Sequence, residues 1–458
     1  LGTAGVVPVP TGTTLPFTPV PLTNRTAGIT GYADNRVTPY VQSFNLSVQH
    51  ELARNMTLDV SWIGNKATKL FSGTQLNDTN VIENGFLDAF LVTRAGGTAP
   101  LFDKILNGLN VTGVGVVNGG SLTGSRALRA FNTTNTFIAN GDVGGLANFI
   151  NTTNSFTGTN GGLLRNGGLP ENFIVVNPQY GSVTPQGNNS QSTYHSFQTV
   201  LTRRMTSGLY TQFSYTFSKA LGDNGVRDPR NRQLSKGILD IDRTHVVKAN
   251  GTYALPFGPN RMFLANSPAA IRRIVEGWEL SSIFSWISGA PQGFTGVNTL
   301  TNRADNTADV VGGLPEGLGK VEKGNGFVQY FSEFSVKAAP LPNFGTDPTL
   351  PGRFTNQAVY DQAGNIIILK NPEPGTTGNL SANVPGVTGP SRLGLDLSLS
   401  KMIAIDESRT FEIRADAVNA LNRPVWGNPN TNINSANFGR ITTATGARTI
   451  TISPRLEF

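Results

Sequence analysis

Apolar and polar residues alternate along several stretches of this chain, which is the pattern of strands with two different faces. The clearest runs from Met56 to Gly64, where Met56, Leu58, Val60 and Trp62 share one side and Thr57, Asp59 and Ser61 the other. Leu209 to Ser218 sets Leu209, Thr211, Phe213, Tyr215 and Phe217 against Tyr210, Gln212, Ser214, Thr216 and Ser218. Leu393 to Lys401 sets Leu393, Leu395, Leu397 and Leu399 against Gly394, Asp396, Ser398 and Ser400. At the end, Ile450, Ile452, Pro454, Leu456 and Phe458 alternate with Thr449, Thr451, Ser453, Arg455 and Glu457. Weaker alternation covers Tyr40 to Glu51, Tyr194 to Arg203, Thr244 to Tyr253, Gly277 to Ile287 and Thr410 to Ala420. Together these predict about nine strands.

The connections alternate in length. Short links follow the first strand (Leu52 to Asn55), the strand ending at Arg203 (Arg204 to Gly208) and the one ending near Ile403 (Ala404 to Arg409). Long links cover Asn65 to Ser192, Ala220 to Arg243, Ser288 to Arg392 and Leu421 to Arg448. An intermediate link, Leu255 to Glu276, includes a candidate short helix near Pro268 to Val275. Compact soluble domains rarely hold structureless loops beyond about 12–15 residues. Transmembrane barrels have short periplasmic turns at one rim and long extracellular loops at the other. If strands alternate in direction and the last one ends in the periplasm, every long link falls on the outer side.

The expected fold is therefore all-β, an antiparallel transmembrane β-barrel of which this chain supplies about nine strands. Its expected membrane-facing residues are Met56, Leu58, Val60, Trp62, Phe213, Tyr215, Phe217, Trp278, Trp286, Leu395, Leu397, Ile450, Ile452 and Leu456. Trp278 and Trp286 stand eight residues apart on one face, about 26 Å along a strand. At a tilt of about 40° the vertical separation is roughly 20 Å, near the ~25 Å apolar band edged by aromatic girdles. The alternative is a soluble secreted β-sandwich, an adhesin or carbohydrate-binding protein, whose apolar faces meet across a core.

Composition agrees with strands joined by polar turns. Charged residues make up 14% of the 458 residues, against 53 glycines. Cysteine is absent, which excludes disulfides, thiolate metal sites and cysteine nucleophiles. The net charge of +7 is modest for this length, and no run of five or more Lys/Arg occurs. A solvated surface accounts for it; contact with anionic lipopolysaccharide is the functional reading, and no nucleic-acid partner is expected. No apolar stretch is long enough for a membrane-spanning helix. The sequence opens Leu1-Gly2-Thr3 without a signal peptide, so a processed or truncated piece of a longer protein is expected.

"YVQSFNLSVQHELARNMTLDVSWIG" (Tyr40 to Gly64) resembles a hairpin of the Oar-like TonB-dependent receptors of Gram-negative outer membranes. So do Ser192 to Asp223, Asp242 to Gly258 and Gly277 to Pro291, while Leu393 to Ile441 is similar to that family's C-terminal strands and last outer loop. The loop segments Glu83 to Val92 and Asn166 to Gly181 are similar as well. The resemblance implies a 22-stranded barrel with an internal plug. It implies residues 1–39 as an extracellular or entry segment and 40–458 as the C-terminal part of the barrel. It further implies an outer-membrane receptor or transporter for an unidentified ligand. Its partners would be outer-membrane lipid and lipopolysaccharide, the barrel-assembly machinery with Phe458 as the assembly signal, and the TonB complex through a plug missing from this chain.

No enzyme is expected, and no cofactor or metal. His50, His195 and His245 lie on three different strands without metal-ligand spacing and read as strand-face residues near a rim. The glycine run Gly113 to Gly120 misses the dinucleotide fingerprint and is followed by another glycine-rich loop, and no Gly-x-Ser-x-Gly elbow or Walker A sequence is present. Asp223, Asp228, Asp240 and Asp242 cluster in or beside one outer loop, where carboxylates can hold Ca²⁺. Pairing with Arg227, Arg230, Arg232 and Arg243 explains them equally well. The Asn45-Leu-Ser47 sequon lies on a strand and reads as composition.

Overall fold

The computed structural model describes residues 19–223, 232–259, 261–297, 299–300, 306–324, 326–406 and 408–457. The chain divides into two compact units, residues 1–31, 75–185 and 343–352 forming one and residues 32–74, 186–342 and 353–458 the other.

The larger unit is built on β1 (Tyr40–Ala53), β2 (Met56–Gly73), β3 (Ser182–Thr206), β4 (Leu209–Asp223), β5 (His245–Ala254), β6 (Trp278–Ile287), β7 (Arg392–Ala404), β8 (Thr410–Val418) and β9 (Thr449–Glu457). They form the path of an eleven-stranded sheet in sequence order, with the short strands Gly28–Tyr32 and Lys236–Ile238 attached at the side. Every pair along the path is antiparallel. All nine predicted strands are present, and consecutive ones are neighbours. Long links therefore emerge at one end of the sheet, and short or intermediate ones at the other. Among the described residues, β1 and β9 are its two unpaired edges.

The tight turns sit where backbone chemistry allows them. Ser207 and Gly208 both have positive φ (51° and 81°) between Thr206 and Leu209, which face each other. Two left-handed residues give the turn twist that suits adjoining strands. The β1–β2 turn uses Asn55 at φ 68°, a residue that tolerates the left-handed region. In the β7–β8 turn Asp406 accepts hydrogen bonds from the Ser408 and Arg409 amides at 2.9 and 2.8 Å. The predicted helix of the intermediate link is observed as Ala269–Val275.

Several strands exceed their predicted lengths, two of them by nine residues or more. β2 continues past Gly64 to Gly73, and β3 begins at Ser182 instead of Tyr194. Their extra residues pair with one another through two register shifts, so ladder hydrogen bonds hold a stretch whose side chains no longer alternate.

Two of the long links of this unit are folded in their own right. Residues from both the β6–β7 and β8–β9 links share one core, in which Phe294, Phe331, Phe334, Val359, Leu369 and Ile433 are buried. Rings of Phe294, Phe331, Phe334 and Phe438 pack with centroids 5.4–6.3 Å apart. Small antiparallel sheets, including Phe334–Ala338 against Gln357–Asp361, satisfy the backbone around them.

The smaller unit is helical: α1 (Phe86–Arg94), α2 (Pro100–Leu106), α3 (Gly124–Ala130), α4 (Asn132–Asn140), α5 (Val143–Thr152) and α6 (Gly162–Asn166). Phe86, Phe90, Phe102, Ile105, Ile138, Leu146 and Ile150 are among its fully buried side chains. Gly124 lets α3 approach α2, since a Cβ there would lie 2.2 Å from the Phe102 carbonyl. Asp142 caps α5 by accepting from the Gly145 amide at 2.6 Å, and burial pushes its carboxyl up to about 6 despite that bond. Arg129 donates to Asp347 at 2.6 Å and to the Thr93 and Gly97 carbonyls, fastening segment 343–352 to the helices. Burial would raise the Asp347 carboxyl, but the Leu350 and Thr349 amides and Arg129 overcome it and hold it below the usual range. Arg25 is buried and bonds Asn151 and Glu171.

Candidate functional site

Directly opposed residues of antiparallel strands point to the same face of a sheet, so the register sorts every side chain. One row joins Leu46, Trp62, Phe197, Phe217 and His245. Another joins Val48, Val60, Thr199, Tyr215, Val247, Trp286 and Leu393. A third joins Leu209, Tyr253, Leu280, Leu399, Ala415 and Ile452. These rows lie on one face, and all the side chains singled out for lipid contact lie on it too. Met56 and Leu58 precede Val60 at steps of two, Phe213 stands opposite Ala249, Trp278 opposite Lys401, Leu395 opposite Phe284, Leu397 opposite Ala417, Ile450 opposite Ala417 and Leu456 opposite Phe411. Phe458 lies outside the described residues.

This face is open. Trp62, Phe213 and Phe217 are 41–47% exposed, and Ile450 and Ile452 on the edge strand exceed 60%. Met56, Leu58, Val60, Tyr215, Trp278, Trp286, Leu395 and Leu397 are half-buried by their neighbours on the sheet. Contiguous apolar exposure on this scale marks a surface that meets something other than water. Phe44, Leu46, Phe197, Phe284 and Phe411 belong to the same face. Their strands alternate too weakly to single them out, although counting parity along Tyr40 to Glu51 would have found Phe44 and Leu46.

Rings collect toward the long-loop end. Trp62 stacks on His195 at 5.8 Å, and His245 lies among Phe217, Tyr215 and Trp286 at 5.3–6.4 Å. The Tyr215 hydroxyl and His245 Nδ1 share a 2.9 Å hydrogen bond. At the short-turn end the Trp278 indole donates to the Ile274 carbonyl at 2.9 Å. Lys401 stands 5.1 Å from the Trp278 ring while donating to the Ile274 and Glu276 carbonyls. His50, His195 and His245 are thus on strands, and none of them meets another.

The opposite face carries hydroxyls, amides and charges, in rows such as Ser47, Ser61, Gln198 and Thr216. Asn250 donates to Gln212 and Gln212 to Thr202 at 3.4 Å, Thr252 and Ser281 share a bond at 3.1 Å, and Arg414 donates to Asp416 at 2.8 Å. Ile63, Val200, Val246, Ile283 and Ile287 are apolar members of this face.

Two adjoining clefts of about 390 and 450 Å³ open where the long links leave β3 and β4, sharing Gln191, Asp223 and Lys236. A third, of about 480 Å³, is lined by Asp240, Arg243, Gln292, Asn383 and Asn428 among others. The loop carboxylates have protein partners. Asp223 accepts from the Gln191 amide, Asp240 from Asn383 and Asp242 from the Ala220 amide, and Arg243 donates to the Asp240 and Asp242 carbonyls. Arg227, Asp228 and Arg230 lie outside the described residues, as does the side chain of Arg232. Among the described residues, no group of three or more His, Cys, Asp or Glu is placed to hold a metal ion. The glycine run forms a small hairpin between Asn110–Val111 and Gly115–Val116, with Gly113 at φ 75°.

No curated protein matches the sequence. Among solved structures, the outer membrane transporter YddB from Escherichia coli aligns at 10% identity, covering 94% of this chain and 34% of its own, with a TM-score of 0.36. Pseudomonas aeruginosa FpvA, bound to heterologous pyoverdines, aligns at 6% identity over 91% of this chain and 27% of its own, with a TM-score of 0.32. A Pseudomonas aeruginosa FadL homologue aligns at 11% identity over 92% of this chain and 68% of its own, with a TM-score of 0.19. The chain spans about a third or less of the first two. The family described as outer membrane beta barrel domain matches residues 2–451, nearly the whole sequence. With that match, and a sheet of two contrasting faces, the chain belongs to the outer membrane β-barrel family and has its place in the outer membrane.

Proposed function

We propose that the chain is the C-terminal barrel portion of an Oar-like TonB-dependent receptor, a transporter that moves a ligand across the outer membrane and performs no chemistry on it. The observation that carries this reading is the sorting of nine consecutive antiparallel strands into one apolar and one polar face, with every long link at the same end. In a bilayer the apolar face meets lipid and the polar face lines a lumen. The long links then form the extracellular side, where ligand choice resides. A plug contributed by another part of the protein would fill the lumen and engage the TonB complex, and the barrel-assembly machinery would insert the strands. The open apolar face supports this over a sandwich, in which a second sheet would cover it.

The test is the gel mobility of the full-length product, refolded into liposomes, before and after boiling. A detergent-resistant barrel shifts on boiling, whereas identical mobility would refute the membrane reading. Ligand uptake that survives loss of TonB would refute the energised part alone.

A further inference from the structure

The third cleft, of about 480 Å³, is built where three long links meet, and it is lined by one cation, Arg243, and one anion, Asp240. They do not pair with each other. Arg243 directs Nη1 to the Asp240 and Asp242 carbonyls at 2.8 and 2.5 Å, and among the described residues the rest of its guanidinium has no partner. Asp240 Oδ1 accepts from the Asn383 side-chain amide at 2.6 Å, and the same amide donates to the Ile238 carbonyl at 2.7 Å. The second Asp240 oxygen is likewise without a partner among the described residues. Both charged groups are therefore held in place by neutral groups. The facing wall is fixed by backbone, since the Gln292 amide donates to the Val387 carbonyl at 2.9 Å and the Val384 amide to the Gln292 carbonyl at 2.8 Å. It is also closely packed, for a Cβ at Gly293 would lie 1.8 Å from the Ala382 carbonyl. The Gln292 side-chain nitrogen donates to the Ala290 and Pro291 carbonyls, which leaves its oxygen as an acceptor.

We propose that this cleft selects a zwitterionic ligand, a short peptide with both termini free. The proposal rests on the receptor reading above and names the class of ligand that its long links would take. A guanidinium with an unengaged edge takes a carboxylate through two parallel hydrogen bonds, and a carboxylate oxygen accepts from an ammonium. A ligand with only one of these charges would leave the other side chain shielded from water without a counter-charge, which is costly. Between the termini, peptide groups meet the side-chain amides of Gln292, Asn383 and Asn428 and the Thr431 hydroxyl. The volume falls within the range of about 300–1,000 Å³ for ligand clefts, but those are lined mostly by apolar side chains. A lining this polar calls for a ligand with polar groups along its whole length. Among the described residues no aromatic ring lines the cleft, so a sugar finds no ring face to pack on.

The full chain, refolded into liposomes, is titrated with triglycine, N-acetyl-triglycine, triglycinamide and maltotriose. Triglycine is expected to bind about ten-fold or more tightly than either blocked peptide, the effect of losing one charge-assisted contact, and maltotriose is expected to bind more weakly than triglycine. Arg243→Gln should bring triglycine down to the level of triglycinamide while keeping the preference over N-acetyl-triglycine. Asp240→Asn should do the reverse, abolishing the preference over N-acetyl-triglycine and keeping that over triglycinamide. The peptide series on the parent chain tests the proposal even where a variant misfolds. Free and blocked peptides binding equally, maltotriose binding as tightly as triglycine, or no binding of triglycine at millimolar concentration would each overturn the proposal. Absence of the mobility shift on boiling would instead overturn the receptor reading on which it rests.

Discussion

Asp142 shows how one side chain sets a pH dependence. Its carboxyl titrates near 6 in the folded helical unit because burial disfavours the charged form, whereas an unfolded aspartate titrates near 3.9. The folded state therefore holds the proton more tightly. The stability linked to this proton is complete below about pH 4 and is lost as pH rises through about 6. The loss is of order 3 kcal/mol for a shift of about two units. Asp142→Asn keeps an oxygen to cap α5 without the charge. Comparing the denaturation midpoints of the two proteins from pH 4 to 7 should show the variant gaining stability with rising pH relative to the parent. Asp347 and Glu171 run the other way, since both are held below the usual range, so their contributions fade on acidification.

Leu397 is the corresponding residue on the sheet. It stands opposite Ser282, midway between the positions facing Trp278 and Trp286. Leu397→Arg should cost about 2–4 kcal/mol in liposome refolding, as a cation at the centre of the lipid-facing band does. Ser398→Asn, one residue on and facing the other way, should be close to neutral. Equal effects at the two positions would remove the two-faced reading.

At the scale of elements, the strands were legible because alternation has only one interpretation when it recurs on so many segments. Their ends were less so. Past Gly64 the residues Asn65, Lys66, Thr68 and Lys69 carry no alternating apolar set, and the start of β3 contains Pro185 and Gly187, which signal turns. Pairing extends both strands regardless. Membership of the apolar face was legible residue by residue because it follows from parity, whereas the clefts depend on loop geometry that parity does not encode. The helices inside the long link from Asn65 to Ser192 were hidden by glycine and asparagine, although Pro100 at the first position of α2 and Asp142 before α5 are start signals.

The folded β6–β7 and β8–β9 links make their own prediction. Phe331 is fully buried among Phe294, Phe334 and Phe438. Phe331→Ala should destabilise that core by about 3–5 kcal/mol. Limited proteolysis should then cut within residues 288–392 while β1 to β5 stay protected. Cleavage spread evenly over the chain would show that the links and the sheet unfold together.

For the whole molecule, the unpaired edges β1 and β9 constrain what can complete the barrel. Backbone groups cannot stay unpaired in hydrocarbon, and neighbouring strands of such a barrel run in opposite directions. Along an alternating path of nine, the first and last strands point the same way. Joining β1 to β9 would therefore make a parallel ladder, and so would joining β9 of one copy to β1 of another. Self-association through β9 and β1 cannot supply the missing wall, and β9–β9 or β1–β1 contacts are antiparallel only with one copy inverted, which puts its long links at the opposite rim. Only an odd number of intervening strands restores the alternation, so any assembly intermediate that pairs two of these chains through β1 and β9 is a dead end.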